Sequence, residues 1–189
     1  MTTVDDMGYE FRTARPEDTG AIEALDGSFT TRTIFQVAVT GNGFVLQEIP
    51  VDPPIHKVFP AENTDDADAP VAEGDPNSRT FVAVGTDGSL AGFATVSYAS
   101  WNRRLAIEDI EIAPAHRGRG LGRALIGHAA KFARESGAGH LWLEVTNINA
   151  PAIRAYQRMG FTFCGLDTTL YDGTPSSGEH ALYMSMPCP

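Results

Sequence analysis

The chain has 189 residues and a mass of 20.3 kDa, with 42% hydrophobic and 20% charged residues. These values predict a single domain, residues 1–189, and exclude a wholly disordered chain, a collagen-like repeat and a disulfide scaffold. A formal net charge of −10 disfavours nucleic acid as a partner, because phosphate contacts need clustered positive charge.

Two further features concern the cellular compartment. The two cysteines, Cys164 and Cys188, suit a reducing compartment. They do not make the pattern of a multi-bridge disulfide framework, and they form no C-x-x-C pair. The polar, acidic start lacks a secretory signal, and no apolar stretch reaches membrane-spanning length. We therefore expect a soluble, cytoplasmic protein without a membrane partner.

The first half of the chain alternates between regular patterns and turns. It predicts a strand over 9–13, a helix that begins at Pro16 and ends near Gly27, and a hairpin with strands over 34–39 and 44–49. The stretch from 50 to 78 is rich in proline and shows no period. Its part from 61 to 76 carries six acids and no Lys or Arg. We expect a long mobile loop there.

The second half predicts two more helices among several strands. The strands are expected over 79–84, 90–98, 105–112, 140–145, 161–164 and 180–186, and the helices over 121–136 and 151–159. This order predicts an α/β (α+β) fold with one mixed, twisted sheet and helices packed on its faces.

A glycine-rich turn between a strand and a helix is the strongest local signal. Such a turn lets the backbone approach an anion, and the N-terminus of the following helix adds partial positive charge. Arginines in the same segment supply full charges for a diphosphate. A tight turn with solvated arginines is the alternative. The residues concerned are Arg117, Gly118, Arg119, Gly120, Leu121, Gly122 and Arg123.

This turn and a second motif resemble the GNAT superfamily of N-acetyltransferases. Residues 117–122 are similar to its acyl-CoA diphosphate loop, and residues 149–161 to its signature N-x-x-A-x-x-x-Y-x-x-x-G-F. The resemblance implies the superfamily's fold and acetyl-CoA as cosubstrate, with the diphosphate held by 117–122. It further implies that amides near Ile110, Glu111 and Ile112 bind the pantetheine and thioester, that Asn149 contacts the pantetheine, and that Tyr156 faces the sulfur.

A closer resemblance covers nearly the whole chain. Seven stretches are similar to the streptothricin (nourseothricin) N-acetyltransferases: 23–31, 51–54, 57–60, 101–105, 107–111, 140–147 and 181–189. This implies acetylation of the β-lysyl amine of streptothricin-class antibiotics, with resistance as the result. The alternatives are an enzyme acting on a protein N-terminal or lysine amine, and a noncatalytic acyl-CoA-binding module. A homodimer is an open alternative to a monomer.

The chemistry requires a proton acceptor, because a lysine-like amine of pKa about 10.4 costs about 4.6 kcal/mol to present neutral at pH 7. Alternation along 105–112 places Glu108 among apolar neighbours, so we expect a raised pKa and take Glu108 as the first choice of base. Glu144 competes, twelve residues before Tyr156, and Asp109 is a further alternative if a bulge shifts the register. Each acid could instead pair with an arginine.

The remaining roles are a general acid and contacts to the acceptor. Tyr156, with a phenol pKa near 10, can protonate a departing thiolate. Acidic residues and exposed aromatic rings would attract a cationic acceptor, and we take Asp26, Trp101 and Glu108 as candidates. The histidines and cysteines show no metal-ligand spacing, so direct transfer without a metal is expected.

Overall fold

The computed structural model describes residues 3–4, 8–59 and 75–188. The acidic loop predicted over 61–76 lies outside the described residues except for its last two. Within the described part, no helix is both long and apolar enough to cross a membrane.

The described residues form ten strands and three α-helices, with short 3₁₀ turns at Pro16–Asp18 and Pro114–His116. The strands are β1 Thr3–Val4, β2 Glu10–Thr13, β3 Phe29–Thr40, β4 Gly43–Lys57, β5 Ser78–Val84, β6 Leu90–Ala99, β7 Arg104–Ile112, β8 His140–Thr146, β9 Thr162–Asp167 and β10 Ala181–Pro187; the helices are α1 Thr19–Glu23, α2 Leu121–Ser136 and α3 Ala150–Met159.

The chain divides into two compact units. Unit 1 comprises the described residues of Met1–Gly27, Ala61–Trp142 and Pro187–Pro189. Its strand order is β1-β2-β5-β6-β7, and α2 packs on β5, β6 and β7. The helix buries one side because apolar residues recur at helical spacing along it, and it ends at Gly137, whose φ is +77°.

A bulge interrupts β7 where it pairs with β6. Thr95 lies opposite Asp109, and the next residue, Val96, lies opposite Ile107, so Glu108 is the extra residue. A bulge changes the alternation of side chains beyond it. The regular alternation expected over 105–112 therefore does not hold past Ile107.

Unit 2 comprises the described residues of Ser28–Pro60 and Leu143–Met186. Its strand order is β8-β10-β9, with β9 and β10 antiparallel, while β3 and β4 form a separate two-stranded sheet. Asn147 ties this hairpin to the end of β8, since its Nδ2 donates to Phe35 O at 2.9 Å and Phe35 N donates to its backbone oxygen at 2.9 Å.

The predicted order of elements is confirmed, apart from the short strand β1, which was not predicted. Three further differences concern elements that were predicted. The first helix ends at Glu23 rather than near Gly27. The hairpin stands in its own sheet rather than in one sheet with the other strands. Finally, β4 runs on to Lys57, where a loop was predicted. The pairing jumps from Thr33–Pro50 to Thr31–Ile55, so the proline-containing stretch 51–54 is accommodated as an irregularity of an edge strand.

Candidate active site

The glycine-rich turn leaves its backbone open to a ligand. Gly118 and Gly120 have φ values of +75° and +85°, which favour glycine. A Cβ added at either position, or at Gly122, would meet no atom within 4 Å. Gly120 directly precedes α2, so the unpaired N–H groups of the first helical turn lie beside this open backbone. These residues fit a bound diphosphate.

Three arginine side chains surround the turn, and two of them donate hydrogen bonds to residues outside it. Arg117 Nε donates to Ile112 O at 2.8 Å, and Arg119 Nη1 donates to the Tyr9 hydroxyl at 3.0 Å. That hydroxyl also lies 2.8 Å from Nδ1 of His116. Arg117, Arg119 and Arg123 are exposed, whereas the Leu121 side chain is buried and can offer a ligand only its backbone.

The prediction that Glu108 lies among apolar neighbours is wrong. Glu108 and its neighbour Asp109 are both exposed, and Glu108 Oε1 accepts a hydrogen bond from Ser97 Oγ. The reason is the bulge at Glu108, which breaks the alternation that placed its carboxylate beside Ile110 and Ile112.

Glu111 is the carboxylate of β7 that is substantially buried. Burial raises its pKa to about 7, the charge of Asp109 adds to the increase, and Arg117 opposes it. Gly27 lies against this side chain, since a Cβ there would be 2.1 Å from Glu111 Oε1. Sequence reasoning assigned Glu111 only a backbone role alongside Ile110 and Ile112. The bulge that changes its surroundings has no signal in the sequence.

Glu144 on β8 lies in unit 2 and is mostly buried. Its Oε1 accepts a hydrogen bond from the Tyr171 hydroxyl. Burial raises the pKa of Glu144, the Tyr171 hydrogen bond lowers it, and the charge of Glu179 raises it. Burial and the bond to Glu144 also raise the pKa of Tyr171, which therefore remains a protonated donor.

Glu179 is held by two residues from elsewhere in unit 2. It forms an ion pair with Lys57 and accepts a hydrogen bond from Thr146 Oγ1. Lys57 Nζ also donates to Ser176 Oγ at 2.8 Å. We refer to Glu144, Tyr171, Glu179, Lys57 and Thr146 as the Glu144 cluster. Sequence reasoning identified Glu144 but not this set, because its members are far apart in the chain.

Helix α3 carries the second signature. Asn149 caps it, with Oδ1 accepting from Ala152 N at 3.2 Å, and Tyr156 is half-buried with its ring 5.8 Å from that of Phe161. Arg154 on the same helix pairs with Glu48 and donates to Thr33 Oγ1 at 2.7 Å, which ties α3 to the hairpin.

All three candidates for acceptor contacts, Asp26, Trp101 and Glu108, are exposed. Trp101 is 87% exposed in the turn between β6 and β7, and Asp26 follows α1 with its charge acting on Glu111. Within 8–59 and 75–188, no three His, Cys, Asp or Glu side chains are grouped to hold a metal ion.

The open glycine-rich turn and the α+β architecture are those of an acyl-CoA-dependent transferase. Residues 45–161 match the acetyltransferase (GNAT) family, and the chain belongs to this family. It is an N-acetyltransferase with acetyl-CoA as cosubstrate. The fold and activity predicted from the sequence are thereby confirmed.

Within this family, the chain is similar to two sequence relatives and one solved structure of more specific description. The chain is 68% identical over 189 residues to a streptothricin acetyltransferase of Streptomyces lavendulae, covering all of both chains. It is 30% identical to a streptothricin acetyltransferase of Escherichia coli, covering 89% of this chain and 90% of the relative. A crystal structure of nourseothricin acetyltransferase is similar with a TM-score of 0.88 and 67% identity, covering 96% of this chain and 99% of the other.

Proposed function

We propose that this enzyme acetylates the β-lysyl amino group of streptothricin-class antibiotics and so confers resistance to them. The observation that carries the proposal is the 68% identity, over the full length of both chains, to a streptothricin acetyltransferase.

Acetyl-CoA is proposed to bind through the glycine-rich turn. Its diphosphate would accept hydrogen bonds from the amides of 117–122 and from exposed arginines, while amides near Ile110, Glu111 and Ile112 hold the pantetheine and the thioester carbonyl. Asn149 is proposed to contact the pantetheine with the amide nitrogen that helix capping leaves available. The same strand amides would stabilise the tetrahedral oxyanion.

The transfer itself is proposed to be direct. Glu144 takes one proton from the acceptor ammonium, and the neutral amine nitrogen then forms a bond to the acetyl carbon. The nitrogen loses a second proton to solvent as the carbon–sulfur bond breaks, and Glu144 later releases its proton to solvent. Tyr156 gives its proton to the departing thiolate and is recharged from solvent. The raised pKa of Glu144 supports its choice as base over the exposed Glu108 and Asp109.

The acceptor is a polycation, and the protein is strongly acidic. Five basic and 16 acidic side chains lie in residues 1–100, against nine and five in 101–160. We propose that this excess attracts the antibiotic, with Asp26, Trp101 and Glu108 as contacts. We further propose that the chain forms a single domain and acts in the cytoplasm, where acetyl-CoA is available.

The test is thiol release from acetyl-CoA by the purified protein. Streptothricin is expected to produce free thiol and a singly acetylated product that has lost its antibiotic activity. A peptide with a free N-terminus and one with an internal lysine serve as alternative acceptors. Release with a peptide and none with streptothricin would overturn the antibiotic assignment.

A further inference from the structure

The Tyr171 hydroxyl contacts the buried carboxylate that the reaction is proposed to use. Tyr171 lies in the turns that join β9 to β10, 27 residues from Glu144, and its side chain is half-buried. Its hydroxyl donates to Oε1 of Glu144. Because a carboxylate has two oxygens, this bond leaves Oε2 to meet another partner.

The hydrogen bond selects one protonation state of Glu144. Burial favours the neutral carboxylic acid, which cannot accept a proton from an amine. The Tyr171 bond favours the ionised form, and the raised pKa of Tyr171 keeps the phenol protonated as a donor. Tyr171 therefore opposes the effect of burial on the group that must be ionised before each turnover.

Other charged and titratable groups around Glu144 come from three segments. Glu179 disfavours ionisation of Glu144, but its own charge is compensated by Lys57 and by the Thr146 hydroxyl. Burial raises the pKa of the Tyr183 phenol on β10, and the charges of Asp167 and Glu144 add to the increase. Tyr171 differs from Glu179 and Lys57 in that its hydroxyl donates a hydrogen bond directly to the Glu144 carboxylate.

We propose that Tyr171 is a positioning residue for acetyl transfer: its hydroxyl holds Glu144 ionised and oriented so that Oε2 takes the proton of the attacking amine. This inference rests on the proposed function, in which Glu144 is the proton acceptor. Tyr171 does not itself exchange a proton with the substrate.

The first experiment compares Tyr171→Phe with the parent enzyme. We expect kcat to fall about tenfold, a loss typical of a hydrogen bond to a charged group, while KM for acetyl-CoA is unchanged. The acid limb of the pH profile is expected to move to higher pH, because a donor that lowers the pKa of Glu144 is lost. Tyr98→Phe is the matched control, since no side-chain hydrogen bond of Tyr98 occurs in the described part of the chain.

A double variant separates a positioning role from a general loss of structure. Because Tyr171 acts through Glu144, adding Tyr171→Phe to Glu144→Gln should cause almost no further loss of kcat. A second tenfold loss in the double variant would contradict the proposal. So would a Tyr171→Phe enzyme with the parent's kcat and acid limb.

A measurement without acceptor keeps the inference separate from the proposed function. Carbon-13 NMR of glutamate carboxyls, with the Glu144 signal assigned through Glu144→Gln, gives the pKa of Glu144 directly. Tyr171→Phe should raise it, and an unchanged value would overturn the positioning role whatever the acceptor. No thiol release with streptothricin would overturn the proposed substrate alone, whereas a fully active Glu144→Gln would overturn the base and the positioning role together.

Discussion

The glycine-rich turn of unit 1 and the Glu144 cluster of unit 2 are assembled differently. The turn is one continuous segment, and the elements it offers a ligand are backbone groups freed by Gly118, Gly120 and Gly122. The cluster draws its members from β4, β8 and the turns before β10. Its important atoms are side-chain oxygens and an ammonium group.

This difference explains how each region tolerates change. A backbone site depends on φ values, so a single methyl group can disturb it, while its arginines are exposed and partly redundant. A cluster of buried charges depends on each partner, since removing one leaves another uncompensated. Binding of acetyl-CoA and proton transfer should therefore respond to separate substitutions.

The largest expected effect is a loss of kcat on substitution of Glu144, which the same substitution of Glu108 should not reproduce. Glu144→Gln should lower kcat about 10²- to 10⁴-fold, the usual contribution of a general base, because a neutral amide cannot take the proton. Glu108→Gln should lower kcat less than tenfold, since Glu108 is exposed and bonded to Ser97. Thiol release with saturating substrates measures both. A larger loss of kcat in Glu108→Gln than in Glu144→Gln would indicate that the base lies on β7.

The turn should be most sensitive at Gly120. Gly120→Ala places a side chain at φ +85°, at a cost of about 1–2 kcal/mol, so KM for acetyl-CoA is expected to rise about tenfold with a smaller change in kcat. Gly127→Ala is the control, because Gly127 lies within α2 with open space around it. That substitution should instead raise the unfolding temperature. Equal behaviour of the two variants would contradict a backbone site.

Glu111 should make stability depend on pH. Its pKa of about 7 lies above its usual value of 4.5, so the folded protein retains a proton that the unfolded chain releases. Stability is therefore expected to fall as pH rises from 5 to 7, and then to level off. Glu111→Gln should remove this fall, a gain of roughly 1 kcal/mol at pH 8 after allowance for partial exposure. Urea unfolding at pH 5 and pH 8 measures it, and parallel curves for the two proteins would count against the shifted pKa.

The smallest expected effect concerns the Tyr9 hydroxyl, which holds Arg119 beside the glycine-rich turn. Tyr9→Phe removes the hydroxyl that accepts from Arg119 and contacts His116, with a cost of about 1 kcal/mol. KM for acetyl-CoA should rise about fivefold. Acetyl-pantetheine, which lacks the diphosphate, should show no change. An equal rise for both donors would place the defect outside diphosphate binding.

The local patterns predicted most elements well. The periodicity of 121–136 and the glycine after it predicted α2 to within a residue, and the hairpin around residue 41 was found from alternation and its glycines. The errors lie where pairing decides the structure. The bulge at Glu108 and the irregular pairing at 51–54 result from a neighbouring strand, so nothing in the segment itself predicts them.

The sequence by itself determined the order of elements, the glycine-rich turn and the two signature motifs, because backbone conformation and helix amphipathicity depend on residues close in the chain. Tertiary structure decided which carboxylates are buried and what they contact. Glu108 is exposed, Glu111 lies against Gly27, and Glu144 receives a hydrogen bond from Tyr171. Burial and charge act through space, and the segments that supply them are separated by tens of residues along the chain.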